Sequence, residues 1–277
     1  MSCAPTRPLL RWYGGKWKLA NWIISHFPPH RVYVEPYGGA ASVLLQKPRA
    51  FSEVYNDLNS EVVNLFRVVR DRGEELQRVI ELTPFSREEL DLSYSPADDP
   101  VEQARRTVLR SFASRGAESV SGVYRSGFRS YAPARGAMPA RDWRNLPGNV
   151  PAVIERLRGV VIENRNAIEV MQMHDVPEAL YYVDPPYVMV TRTRKRGYLH
   201  EMDNSDHLQL AEVLHSLKGR VVLSGYASEL YDQLYLGWDR VERRTMADGA
   251  IERVEFLWLS PNCRQGGLLE GMEGGAR

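Results

Sequence analysis

Cysteine is nearly absent from this chain: Cys3 and Cys263 stand alone among 277 residues. Two isolated thiols exclude a disulfide framework and a cysteine-based zinc site, and they suit a reducing compartment. No apolar run is long enough to span a membrane, and the N-terminus carries no charged-then-apolar leader, so a cytoplasmic protein is expected. No internal repeat is visible, and neither sign of charge dominates, the net charge being +1. That near-neutral total is unevenly spread. Residues 101–150 hold nine Arg against three acids, which leaves the remainder slightly acidic. A local basic block of this kind points to a polyanion partner for that block.

The apolar pattern is that of an α/β protein. Leu19, Trp22, Ile23 and Phe27 recur at helical spacing, which predicts a helix over Lys16–His26 that stops before Pro28-Pro29. Val32–Glu35 reads as a short strand, followed by the turn Pro36-Tyr37-Gly38-Gly39-Ala40-Ala41 and a helical run to Leu45. A strand around Glu53–Tyr55 ends in Asn56-Asp57, and residues 59–82 read as helix. Between Pro84 and Gly148 the periodicity weakens and Arg, Ser and Gly become common. The α/β pattern then resumes with a strand at Val160–Ile162, a helix near Ala167–Met173, the strand Leu180–Val183, a helix over Ser205–Leu217 and a strand at Arg220–Leu223. Val241–Leu259 reads as two strands meeting at Asp248-Gly249, a strong hairpin dipeptide. The expected architecture is a mostly parallel, Rossmann-like sheet closed by an antiparallel hairpin. Residues 1–83 and 149–263 are expected to form this α/β domain, residues 84–148 an inserted, mainly helical and loop domain, and residues 264–277 a flexible tail.

The most informative motif is Asp184-Pro185-Pro186-Tyr187, directly after the apolar run Leu180-Tyr181-Tyr182-Val183. Two prolines stop the strand and stiffen the turn beyond it, because neither has an N–H and both have a fixed φ. The turn offers a carboxylate, backbone carbonyls without competing donors, and a flat ring. Such a set suits an exocyclic amine on a planar heterocycle, adenine or cytosine. The turn after the first strand is where sheets of this kind hold a ligand, and Gly38 and Gly39 let the backbone approach it closely. Asp57, at the end of the second strand, is placed to accept from ribose hydroxyls. The three-glycine pyrophosphate fingerprint is missing, and Glu35 beside the turn would repel phosphates, so a ribose-bearing, phosphate-free ligand such as S-adenosylmethionine fits better.

Together the segments Trp12-Tyr13-Gly14-Gly15-Lys16, Val34 to Ser42, Asn56 to Asn59 and Asp184 to Tyr187 resemble the Dam-like family of DNA adenine N6-methyltransferases, the α-group with its phage and prophage members. The order is the family's, with the insertion where the family keeps its target-recognition domain. The resemblance implies a donor site made by Trp12, Lys16, Glu35, Pro36, Tyr37, Gly39, Asp57, Asn166 and Asp184, with no metal. It also implies a catalytic turn of Asp184, Pro185, Pro186 and Tyr187, in which Asp184 holds the target amine and Tyr187 stacks on a flipped base. Two positions depart from the pattern. Ala41 stands where the family has a second turn glycine, and Asn166 where it often has an acid, which alters an acceptor-only contact.

Double-stranded DNA is the expected partner. Ala104–Arg115 reads as a helix carrying Arg105, Arg106, Arg110 and Arg115 near one side, and Tyr124–Tyr131 alternates aromatics and arginines around Gly127. Arg can take guanine O6 and N7 together, so Arg125 and Arg129 are the expected specificity residues. Arg192, Arg194, Lys195 and Arg196 are expected to grip phosphates. His200 and His207 are assigned capping or surface roles. Three alternatives remain open from the residues: a cytosine N4 enzyme, an RNA adenine methyltransferase, and a catalytically silent DNA-binding regulator. A homodimer is compatible with palindromic targets.

Overall fold

The structure is a computed structural model and describes residues 4–116, 120, 125–130, 139–192, 197–247 and 251–267. Seven strands form one sheet: β1 (Val32–Glu35), β2 (Ser52–Asn56), β3 (Val160–Glu163), β4 (Ala179–Val183), β5 (Arg220–Gly225), β6 (Asp239–Ala247) and β7 (Ile251–Leu259). They lie in the order β3-β2-β1-β4-β5-β7-β6. The first five pair in parallel, and β7 runs antiparallel to both β5 and β6. This is the Rossmann-like sheet with an antiparallel end that the residue pattern predicts. The expected Asp248-Gly249 corner lies outside the described residues, but Ala247 pairs with Ile251 on either side of it.

Alternation along the central strands divides the core in two. Tyr33, Tyr55, Leu180, Tyr182 and Val222 face one hydrophobic cluster, whereas Val34, Val54, Tyr181, Val183, Val221 and Leu223 face the other. All five residues of β4 are buried, as a strand covered on both faces requires. The first cluster is covered by α1 (Ala20–Ile24), α2 (Ser60–Leu82), α3 (Arg87–Leu92), α4 (Pro100–Ala113), α5 (Pro139–Arg144) and α6 (Val150–Leu157). The second is covered by α7 (Ala167–Met173), α8 (Asn204–Ser216) and α9 (Glu229–Leu234). Leu90, Val108, Phe112 and Trp143 from the 84–148 segment belong to the same cluster as Phe66 of α2 and Tyr33 of β1.

Four local expectations differ from the fold. The first helix is confined to Ala20–Ile24, because residues 12–19 turn to carry Lys16 towards the sheet, where its Nζ meets the Gly14 carbonyl at 2.9 Å. The run to Leu45 forms turns instead of a helix: the Leu44 N–H donates to the Glu35 carboxylate at 3.0 Å, outside any helical ladder. The helix α9 carries no signal that the periodicity picked out. Arg264, expected to begin a flexible tail, is anchored in the short helical turn Pro261–Gly267 by two contacts to Asp239. Residues 268–277 lie outside the described residues.

Candidate active site

Strand order reverses on either side of β1, so the carboxyl ends of β1 and β4 open a crevice between their departing loops. A cavity of about 240 Å³ occupies it. Trp12, Lys16, Glu35, Pro36, Tyr37, Gly39, Asp57, Asn166, Asp184 and Pro186 all border this one space. Pro185 and Tyr187 lie buried behind it.

The β1 turn is shaped by contacts that leave no room for side chains. Gly38 donates to the Asn56 carbonyl at 2.8 Å, and a Cβ there would lie 2.1 Å from the Tyr55 ring. Gly39 has φ +46°, and a Cβ would meet the Trp12 indole nitrogen at 2.6 Å. The Tyr55 hydroxyl donates to the Gly39 carbonyl at 2.7 Å, and Asp57 Oδ2 accepts from the Gly39 N–H at 2.8 Å. Asp57 Oδ1 accepts from the Asn59 N–H at 2.8 Å, so this carboxylate braces the turn while it faces the cavity. Ala41, where a glycine was expected, adopts φ 53°, a left-handed conformation that costs an L-residue about 1–2 kcal/mol.

Glu35 lies under this turn, accepting from the Tyr33 hydroxyl at 2.7 Å and the Leu44 N–H at 3.0 Å. Burial raises its carboxyl to about 8, against the lowering effect of those two donors. At neutral pH it is mostly protonated, so the expected repulsion of phosphate by its charge is weak. Burial likewise raises Asp57, opposed by its backbone donors.

At the end of β4 the site is ionic. Lys16 Nζ is 2.9 Å from Asp184 Oδ1 and 3.6 Å from Glu255 Oε1, and it stands 4.7 Å from the centre of the Tyr187 ring. Lys16 is only 6% exposed and Glu255 3%. Burial alone would lower Lys16, but the Asp184 and Glu255 carboxylates outweigh it and hold the ammonium well above its ordinary value. Burial pushes Glu255 up from the carboxylate range, and Lys16 opposes that shift. Glu255 Oε1 also accepts from the Tyr187 hydroxyl and from Ser224 Oγ. The Tyr226 ring meets Tyr187 edge-on with centroids 4.8 Å apart. The Tyr187 ring, read as a platform for a base, thus has an ammonium over it. Glu255 escaped sequence reasoning, although one signal was present: it shares the inward phase of β7 with Leu257, a core residue.

The far wall is the N-terminus of α7. Asn166 caps it, its Oδ1 accepting from the Ile168 N–H at 2.8 Å, so the side chain presents its amide N–H groups as donors. A strap over residues 197–202 closes one side of the cavity. Glu201 accepts from the N–H groups of Gly197 (2.7 Å) and Tyr198 (3.0 Å) and pairs with Arg192 at 2.7 Å, and the Tyr198 ring meets Tyr13 edge-on. His200 borders the cavity, whereas His207 is fully buried with Nδ1 3.1 Å from the Tyr231 hydroxyl. The surface or capping role expected of His207 is therefore corrected to a core contact.

The expected DNA contacts divide. Arg105 is 6% exposed and spends its guanidinium on Glu102, Glu89 and Thr83, so it binds α4 to its own fold and is removed from the DNA set. Arg106 and Arg110 are likewise taken up, by Glu102 and by Glu61 with the Ser93 carbonyl. Arg192 is turned inward onto Glu201 and so holds the strap instead of a phosphate. Arg115 and Arg125 are exposed and Arg129 half-buried. Their loop is docked on the end of α4 through Arg115 N–H to Gly127 O (3.0 Å) and Arg129 N–H to Ala113 O (2.7 Å), with Arg125 5.1 Å from the centre of the Tyr94 ring. Arg194, Lys195 and Arg196 lie outside the described residues. Among the described residues no group of three or more His, Cys, Asp or Glu could hold a metal ion, and no helix is long and apolar enough to cross a membrane.

The Rossmann-like sheet with its antiparallel end, and the Asp57-braced glycine turn facing the Asp-Pro-Pro-Tyr corner across the switch point, agree with a methyltransferase, and the family match makes it one. The model of the D12 class N6 adenine-specific DNA methyltransferases matches residues 12–248, and the chain belongs to that family. It is an adenine-specific DNA methyltransferase. It is similar to a type II methyltransferase of Lactococcus lactis subsp. cremoris, 29% identical over 83% of this chain and 84% of the relative. It is also similar to a DNA adenine methylase of Serratia marcescens, 26% identical over 83% of this chain and 87% of that protein. With the DNA adenine methylase of Escherichia coli K12 it shares 39% identity over 25% of this chain and 24% of the relative.

Two measurements check this geometry. Gly38→Ala is expected to cost about 2 kcal/mol or more through overpacking against Tyr55. Ala41→Gly is expected to shift stability by less than about 1 kcal/mol, since relief of strain is offset by a lost buried methyl and a freer unfolded chain. Urea unfolding of both variants reads the contrast. The second is a pH series. Glu35 titrates near 4.5 unfolded and about 8 folded, so between those values only the folded chain keeps the proton. Stability from this group is complete below pH 4.5 and is lost as pH rises through 8. Glu35→Gln keeps an oxygen acceptor without the titration. From pH 5 to pH 8 the native chain should lose stability relative to the variant, by up to about 4 kcal/mol.

Proposed function

We propose that the cavity binds S-adenosylmethionine beside a flipped adenine, and that Asp184 is the acceptor that aims the adenine amine. The observation that carries this reading is the meeting of the β1 turn and the Asp-Pro-Pro-Tyr corner in one cavity. The residues present fit the donor. Gly39 leaves an uncluttered backbone where a Cβ would collide, Asp57 offers acceptor capacity for ribose hydroxyls, and the aromatic wall includes Trp12. Asn166 would meet the donor's adenine with an amide N–H, where an acid could only accept. The donor supplies an activated methyl group; everything else is orientation by this chain.

The target amine is a poor nucleophile because its lone pair is delocalised into the ring. Asp184 and the Pro185 carbonyl accept its two N–H groups, which draws the nitrogen towards sp³ and turns the lone pair into the cavity. No separate base is needed, because the nitrogen's proton becomes acidic once it is methylated. Extruding the adenine costs a few kcal/mol, and stacking on an aromatic ring returns about 1–3 kcal/mol. Tyr187 serves as that ring once the Lys16 ammonium leaves its face.

Duplex DNA is the substrate in this reading, with residues 84–148 as its recognition segment and Arg125 and Arg129 as the groups that reach base edges. The docking of their loop on α4 supports this, since a held backbone leaves less freedom to lose on binding. A cytoplasmic location and a monomer or homodimer belong to the same proposal.

At saturating donor and DNA, Asp184→Ala is expected to lower the single-turnover rate of N6-methyladenine formation by about 10²–10³. A near-native rate in that variant would overturn the assignment. Arg129→Ala is expected to cost about 1–3 kcal/mol in binding and to relax one position of the site read by sequencing modified bases. A variant whose methylated sites stay unchanged would remove Arg129 from base readout.

A further inference from the structure

The ammonium of Lys16 stands where the reaction needs something else. It lies 2.9 Å from Asp184 Oδ1, 2.9 Å from the Gly14 carbonyl and 4.7 Å from the centre of the Tyr187 ring. A nitrogen donor bonded to Asp184 over the face of Tyr187 is also the position proposed for the target amine. The two cannot share it. The ammonium takes up Asp184 Oδ1 on the side of the carboxylate that faces the ring, and a full positive charge would sit beside a nitrogen that becomes positive as it is methylated. In a site this buried such a repulsion is weakly screened.

Glu255 offers the cation another place. Its Oε1 is 3.6 Å from the same Nζ, and it is the second carboxylate to reach that ammonium. It is fixed by the hydroxyls of Tyr187 and Ser224, so it can receive the ammonium without moving. A lysine side chain needs only a small torsional change to exchange one carboxylate for the other. We propose that Lys16 is a place-holder for the target amine, and that Glu255 is the positioning carboxylate that takes over its charge when the amine docks on Asp184. Asp184 keeps a charged partner until the substrate arrives, and the same Glu255 oxygen steadies the Tyr187 ring as the cation leaves it. The proposal rests on reading Asp184 as the amine's acceptor.

The test is a set of variants of the full chain: Asp184→Ala, Glu255→Gln, Glu255→Asp, and Glu255→Gln combined with Lys16→Met. Glu255→Gln keeps the shape and an acceptor for Tyr187 and Ser224 but loses the charge that draws Lys16 away. At saturating donor and DNA its single-turnover methylation should fall about tenfold or more, with donor affinity nearly unchanged. Adding Lys16→Met should then restore part of the lost rate, because it removes the competitor for Asp184. Glu255→Asp keeps the charge and should be faster than Glu255→Gln; it carries the test should Glu255→Gln fail to fold. A native rate in Glu255→Gln would overturn the proposal and leave the donor's own carboxylate as the receiver of Lys16. So would a double variant no faster than Glu255→Gln, or a Glu255→Asp variant slower than it, since both mark a merely structural glutamate. Near-native methylation by Asp184→Ala would instead overturn the site assignment itself, so the two failures are distinguishable.

Discussion

An ammonium withdrawn from water must be compensated by carboxylates, and in this protein that requirement joins three distant parts of the chain. Lys16 comes from the N-terminal turn, Asp184 from the end of β4 and Glu255 from β7. Removing one partner of such a buried set typically costs about 3–5 kcal/mol, because the remaining charge is left without a counter-ion. The set therefore fixes more than charge. It holds the first turn over the crevice, sets β7 in register beside β5, and through the Tyr187 hydroxyl it fixes the corner after β4. The N-terminal helix is short for the same reason, since residues 12–19 are committed to carrying Lys16 inward.

The crevice itself arises from strand order and alternation. With β1 between β2 and β4, the loops leaving β1 and β4 diverge to opposite faces, and the gap above them needs no side chain to be hollowed out. Alternation along the strands then supplies two separate cores, one under α1 to α6 and one under α7, α8 and α9. A sheet packed on both faces is rigid, which lets a turn such as Gly38-Gly39 be held at contact distances that a mobile loop would relax.

What was legible in the sequence was local. The β4 run and its Asp-Pro-Pro-Tyr corner, the glycine turn and Asp57 are each written within a few residues, and each forms the element that its pattern predicts. What was not legible depends on partners far along the chain. Glu255 looks like an ordinary acid on a hairpin strand until Lys16 and Tyr187 are brought to it. His207 looks like a polar residue near a helix start until Tyr231 closes over it. Glu35 looked like a charge beside the ligand, but only the fold shows that burial outweighs its two donors and leaves it neutral.

The basic block shows the same limit in the opposite direction. Nine arginines against three acids describes residues 101–150 in isolation, yet beside Glu102 within it two of the pairing acids lie outside: Glu61 meets Arg110, and Glu89 meets Arg105. A guanidinium has five donors in a fixed fork, so one buried arginine can tie a helix to several acceptors as readily as it can grip a phosphate. Of the arginines on α4, all three are used in that way, and the long-range field of the block is weaker than its charge count implies. Among the described arginines of the block, Arg115, Arg125, Arg141 and Arg144 keep exposed side chains and Arg129 a half-buried one. On the proposed reading, arginines placed at the end of α4 serve recognition of particular bases, since each brings a fixed fork of donors where a diffuse charge would only hold phosphates.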